Sequence, residues 1–492
     1  MKRWVWPIKL IRRRGQGKNV WGAMGYFFRR LWVTGRRRLS RKTRLKMRAQ
    51  LKWNLAAFMI VIGLMWLIAA SKGGQEALNL GLDKLVKADY KAAVLEGQDP
   101  RPVSERLRLV IFDRHSYDAS YTKGLWTPRD ELGHCILSLI KAGAEVVMVD
   151  FSFDTEAPVV LVGDQPRDGD ASYLSSLREA AELARLNEAR IIVPHPGRIK
   201  KTGHQYLEVI ESYPDVFIPA NFQAWQSPDQ RIRRFSWLGY DLNSCPVLAA
   251  NLTAFLAAEF KSEKTKPALR EAKRLVTGLP TETNLLPSEL RQALAPNRQD
   301  QSSRLIFRLL PREIVAGQWA DDLEAMKKEG RAFSDPLKGV VWRPEQLKNS
   351  APPSFAGKIV LIGSDYAGNG DYHQSAFGEI AGSYLLANSV NQLLTNKLSY
   401  ELKWLNTVFL LVIGLAGCLI YAALPLGPAS LIFFVSPFAA AFISKWIFIH
   451  YGVFFDVWLP FIGVGLCNTI VSWRNWRTYW GGSGLLQKFL KR

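Results

Sequence analysis

Acidic residues are missing from both ends of this chain. Residues 1–53 hold 18 Lys or Arg and no Asp or Glu, and residues 473–492 hold five basic residues and again no acid. The net charge of +22 over 492 residues, from 65 Lys+Arg against 43 Asp+Glu, therefore belongs to the two tails, and the body between them is near neutral. This excludes a basic globular binder that follows phosphates with its whole surface, and no nucleic-acid partner is expected. Cysteine is scarce as well: four residues exclude a disulfide scaffold. Cys418 and Cys467 lie in apolar runs. Cys135 and Cys245 lie in the polar middle, where two buried thiols are the simpler expectation and a bridge in an oxidising compartment is the alternative. Motifs of catalysis are lacking too. There is no Ser-centred elbow, no His-Glu-x-x-His, no Cys-x-x-Cys and no phosphate-loop pattern, so neither an enzyme nor a cofactor is expected.

What is present begins with apolar sequence. Hydrophobic residues make up 48%, too many for a mostly disordered chain, and the length allows about three domains. Four runs stand out: Leu55–Ala70, Leu405–Ala423, Pro428–Ile449 and Val453–Val471. Each approaches the roughly 20 residues a membrane helix needs, and Trp residues cluster in and beside them, as at a membrane interface. The expected organisation is a basic cytoplasmic tail (1–53), a first transmembrane helix (54–71), an external domain (72–403), three transmembrane helices (404–472) and a second basic cytoplasmic tail (473–492). Lys and Arg set this orientation, with both termini inside and the domain outside the inner (plasma) membrane. The tails, basic and aromatic, suit contact with anionic membrane lipids.

The external region alternates strand and helix signals. Leu107–Phe112, Glu145–Val149, Arg190–Val193 and Lys358–Ile362 read as short apolar strands, and Leu305–Leu309 as a further candidate. Helices are expected from Thr127-Pro128 to Gly143, with Thr127 as cap, over 173–189, over Val247–Phe260 and from Gly382 to Asn396. Residues 76–106 read as a charged link. The fold class is α/β, a parallel or mixed sheet with flanking helices, plus the four transmembrane helices.

Several short motifs occur in a definite order. They are Asp113-x-x-Ser116, Trp126-x-x-Arg129, Gly143-Ala144, Asp150-x-x-Phe153, Gly357-Lys358-Ile359-Val360-Leu361-Ile362-Gly363, Asp371, Gly382, Ala387-Asn388 and Leu393-Leu394. In this order, and with these flanking helices, the chain resembles the CHASE type-2 domain, an extracellular sensor domain associated with cyclases and histidine kinases. The similarity covers roughly 100–472. The resemblance implies an external sensor domain with an unknown ligand. Family members commonly continue into a cytoplasmic kinase or cyclase. About 20 residues follow the last apolar run here, so a separate partner protein is expected to carry any output.

The candidate site follows from the strand ends. Ligands of parallel sheets bind beyond the carboxyl ends of the strands. Asp113, Asp150, Ser364 and Asp365 end strands that can share one edge, and there they either cap the next turn or bind a polar ligand or a hard cation. Ser116 and Asp371 join the set from the resemblance. Trp126 and Arg129 either line a pocket by stacking and carboxylate binding or pack beneath the sheet with a nearby acid. His115, His195 and His373 follow strands, but their spacing matches no zinc pattern and no metal is assigned. Sensing through a partner is the leading reading. A structural subunit of a membrane complex and an external metal-dependent hydrolase using Asp113 and Asp150 are the alternatives.

Overall fold

The computed structural model describes residues 51–61, 63–64, 67, 71–97, 103–120, 127–151, 160–162, 165–195, 204–223, 225–226, 231–240, 245–260, 262–281, 283–294, 302–331, 333, 335–349, 355–366, 371–396 and 400–401, with scattered residues between 411 and 470. The larger of two compact units, Glu76–Leu402 with Ile443–Phe455, holds the sheet.

The elements that place the site are, in chain order, α1 (Lys72–Tyr90), β1 (Leu107–Phe112), α2 (Arg114–Ala119), α3 (Arg129–Lys141), β2 (Val146–Val149), α4 (Gly169–Leu186), β3 (Arg190–Pro194), β4 (Phe217–Ala220), α5 (Ala250–Glu259), β5 (Val341–Trp342), β6 (Ile359–Ser364), β7 (Tyr372–Ser375), β8 (Gly378–Ala381) and α6 (Gly382–Leu394). Six strands form one parallel sheet in the order β5-β1-β6-β2-β3-β4. The chain lays β1 and β2 early and leaves a gap between them. It fills that gap with β6 more than 200 residues after β2.

Both faces of the sheet are covered, which is why its central strands are apolar without alternation. In β6 every residue is buried. Ile359 and Leu361 join a core beneath α1, α5 and α6, while Val360 and Ile362 join a second core beneath α3 and α4. The same two-residue period divides Leu109 from Val110 in β1 and Met148 from Val149 in β2.

Several expectations change. The four transmembrane helices are not supported, because among the described residues no helix is long and apolar enough to cross a membrane. Val453 and Phe454, expected to open the fourth, instead pair in parallel with Tyr400 and Glu401. The apolar residues there meet a strand, and an apolar run alone does not distinguish a strand from a helix. The rest of 404–472 lies largely outside the described residues, as do residues 1–50 and the tail 473–492. The supposed link at 76–106 contains most of α1, extended by one π-helical turn at Lys91–Leu95. Leu305–Leu309 is buried but belongs to no strand. Its amides bond to side chains of α6: Ile306 N to Gln392 Oε1 (3.0 Å), and Arg308 N and Leu309 N to Asn388 Oδ1 (2.6 and 2.9 Å). Thr127 does not cap α3. Pro128 takes that position without a side-chain bond, and Asp130 and Glu131 occupy the first turn. Cys135 is buried in α3, whereas Cys245, also expected to be buried, is exposed.

Candidate functional site

Parallel register aligns the carboxyl ends of the three central strands. Phe112 of β1 pairs with Ser364 of β6, and Ile362 of β6 pairs with Val149 of β2. The next residue of each strand is an aspartate, so Asp113, Asp365 and Asp150 leave the sheet at one edge. Backbone bonds carry the alignment one residue further, from Asp365 N to Phe112 O (3.0 Å) and from Asp150 N to Ile362 O (2.9 Å).

Asp150 lies against the first turn of α6. Ser383 Oγ lies 3.2 Å from each of two acceptors for its one hydrogen, Asp150 Oδ2 and Ser364 O, and it accepts from Ser364 N (3.0 Å), so one hydroxyl links β2, β6 and α6. Two glycines make this approach possible. A Cβ on Gly363 would stand 2.1 Å from Ser383 Oγ, and a Cβ on Gly382 would stand 2.3 Å from Asp371 Oδ2. Asp371 is held there by its own carbonyl, which accepts from Gly382 N (2.8 Å). Its carboxylate also pairs with His373 Nε2 (3.0 Å). Burial pushes the Asp150 carboxyl up to about 7, and the charge of Asp371 adds to the rise. The Ser383 bond and the charge of His373 act in the opposite direction.

Asp365 forms a second cluster beside the first. It accepts a hydrogen bond from Tyr372 Oη at the start of β7. Burial raises its carboxyl above the usual range; the Tyr372 bond opposes this, and Glu313 and Asp113 add to it. The Tyr372 phenol is raised as well, by burial first and then by Asp365. Ser364 is buried; its hydroxyl donates to Phe112 O (3.3 Å) and accepts from Tyr366 N (3.1 Å).

Asp113 has a structural role. It caps α2 by accepting from Ser116 N (2.9 Å) and Ser116 Oγ (3.0 Å), and its second oxygen meets Arg343 Nε at 2.8 Å. Ser116 is therefore bonded within that cap. Arg129 pairs with Asp170 of α4, as the simpler expectation held. Trp126 lies outside the described residues. His115 is exposed, and among the described residues no three His, Cys, Asp or Glu side chains are grouped to hold a metal ion.

The edge thus gathers Asp150, Ser364, Asp365 and Asp371 of the expected residues. It adds Ser383 and Tyr372, which sequence reasoning did not single out, and His373, weighed only for zinc. A hydroxyl next to the expected Gly382 helix start was the available signal for Ser383, since a first-turn side chain faces the strand ends. Chemically the edge gathers carboxyl and hydroxyl oxygens, so it suits a group that donates hydrogen bonds or carries positive charge.

No curated protein and no solved structure shows significant similarity to the chain. A family model, the CHASE2 domain, matches residues 58–421. That span covers both clusters, the whole parallel sheet and α6, and on it the chain belongs to the CHASE2 family, an extracellular sensor domain of signalling proteins.

Proposed function

We propose that the protein senses a signal outside the cell at the acidic edge of its sheet and acts through a separate partner protein. The observation that carries this reading is the position of Ser383. Its hydroxyl bonds at once to Asp150 and to the backbone of Ser364, and it sits in the first turn of α6. A ligand that competes for Asp150 acts directly on the first turn of α6, a helix packed on the sheet. Its class is a cationic or hydrogen-bond-donating molecule, since the groups it meets are carboxylates and hydroxyl oxygens. Such a ligand shifts the domain only if it binds two arrangements of this edge with different affinity. The role is binding rather than turnover. The basic tails 1–53 and 473–492 would contact anionic lipid or the partner.

The test uses the full chain in its own cell. Asp150→Asn and Asp371→Asn keep side-chain size and remove charge. They are expected to abolish the cellular response or lock it on at unchanged protein level. Affinity purification should retain one partner in wild type and variants alike. A full response from a protein lacking 72–403 would refute sensing by this domain.

A further inference from the structure

The hairpin β7–β8 runs from the acidic edge to the end of α1. At its base lie Asp371, paired with His373, and Tyr372, bonded to Asp365. The two strands keep unbroken antiparallel register from Tyr372↔Ala381 to Ser375↔Gly378. The turn between them carries Phe377, which enters an aromatic cluster with Tyr90, Trp319 and Phe307 at centroid distances of 5.8, 5.7 and 4.9 Å. Tyr90 is the last residue of α1 and stacks on Trp319 at 5.0 Å with 12° between the rings. Lys87, one turn earlier, stands 5.9 Å over the Phe377 ring.

The π-helical turn starts next to this cluster, at Lys91. π-helical turns are rare and are often found at functional sites. At its other end the hairpin has no linker: β8 ends at Ala381 and α6 starts at Gly382. One two-stranded element therefore touches the acidic edge, the end of α1 and the start of α6.

We propose that the β7–β8 hairpin is the lever that couples the acidic edge to α1, with Asp371 as the input and Phe377 as the contact that moves the π-turn. The inference rests on the acidic edge being where the signal enters. The coupling itself is measurable without any ligand. Asp371 is a positioning residue here: its carboxylate pairs with His373 of β7 and lies against Gly382 of α6, in the space a Cβ there would fill. Replacing it with Asn weakens a charge-assisted pair and loosens the hairpin base.

Hydrogen exchange of the full chain, read by mass spectrometry, tests the lever with Asp371→Asn, Phe377→Leu and the double variant. Asp371→Asn is expected to speed exchange over residues 84–95 by roughly three-fold or more while leaving α4 unchanged. In the Phe377→Leu background the same substitution should add nothing over 84–95. Three results would overturn the lever. In the first, faster exchange stays confined to 371–386. In the second, α4 speeds up equally. In the third, the effect on 84–95 survives in the double variant, which would route it through the Asp89–Arg308 pair instead. If the lever holds while Asp371→Asn leaves the cellular response intact, the coupling stands and the sensing site is elsewhere.

Discussion

Asp150 faces one hydroxyl donor and a second carboxylate in a setting that disfavours its charge. The folded carboxyl keeps its proton to a higher pH than the unfolded one, so the folded state binds more protons between about pH 4 and about pH 7. Stability is therefore lost as pH rises through that window. Asparagine cannot ionise and can still accept from Ser383. Asp150→Asn is expected to match wild type near pH 4 and to exceed it near pH 8 by on the order of a few kcal/mol, seen as a higher Tm. Equal Tm at both pH values would show that Asp150 titrates normally. Gly363 gives a second residue-scale prediction. Its Cα must lie under Ser383, and Gly363→Ala is expected to cost roughly 1–3 kcal/mol in chemical denaturation. Adding Ser383→Gly should recover part of the loss, because the clashing atoms are then gone; no recovery would place the strain elsewhere. The aspartates at the strand ends were legible in the sequence, because a polar residue closing an apolar run marks a strand end. Whether each one caps or stays available was not. Asp113 found Ser116 and Arg343, whereas Asp150 found Ser383 from more than 200 residues away.

At the scale of elements, α6 does more than cover the sheet. Asn388 makes four hydrogen bonds, accepting from Arg308 N and Leu309 N and donating to Leu309 O and Tyr384 O. It takes the place of a neighbouring strand for the buried segment 305–310, and this gives the Ala387-Asn388 motif its physical role. Asn388→Ala leaves two buried amides without an acceptor. It should cost about 3 kcal/mol or more, measured as a lowered denaturation midpoint. The same segment anchors α1. Arg308 Nη1 meets Asp89 Oδ2 at 2.7 Å with both side chains buried, and Arg233 pairs with Asp83 through two bonds of 2.7 and 2.9 Å. Asp89→Ala would strand a buried guanidinium and is expected to cost about 3–5 kcal/mol. Lys91→Ala removes a much more exposed pair with Asp322 and should cost about 1 kcal/mol or less. Similar losses for the two would mean that α1 is held by its apolar face alone. In the sequence, Asp83 and Asp89 have the look of solvent-facing charge, which is why 76–106 resembles a charged link; in the structure both are buried and paired. Their partners lie about 150 and 219 residues away, beyond the reach of any local pattern. Leu305–Leu309 was misread for a related reason. Its composition is that of a strand, but after Leu305, whose amide bonds to Arg233 O, three of its amides bond to side chains of a helix.

At the scale of the whole molecule, the sheet is closed by a late strand. β1, β6 and β2 are buried on both faces, while β5 is a two-residue edge strand with partly exposed side chains. Amides of the three central strands are expected to exchange slowest, near the rate of global unfolding, and those of β5 markedly faster. Uniform protection across the sheet would contradict the edge position of β5. The order of the strands also locates function. Because β6 enters between β1 and β2, residues from the start and the end of the domain share one edge, and α6 starts there.

The sequence by itself determined the α/β class, the principal strands within a residue or two, the family, and the aspartates that end the central strands. These are local properties, written in apolar period, turn residues and short motifs. The tertiary structure alone decided the strand order, the buried ion pairs of α1, the role of Asn388, and which aspartates share a neighbour. It also overturned the expected four transmembrane helices, since among the described residues no helix is long and apolar enough to cross a membrane. Each of these depends on contacts between residues far apart in the chain, where burial and partner geometry, rather than residue type, set the outcome.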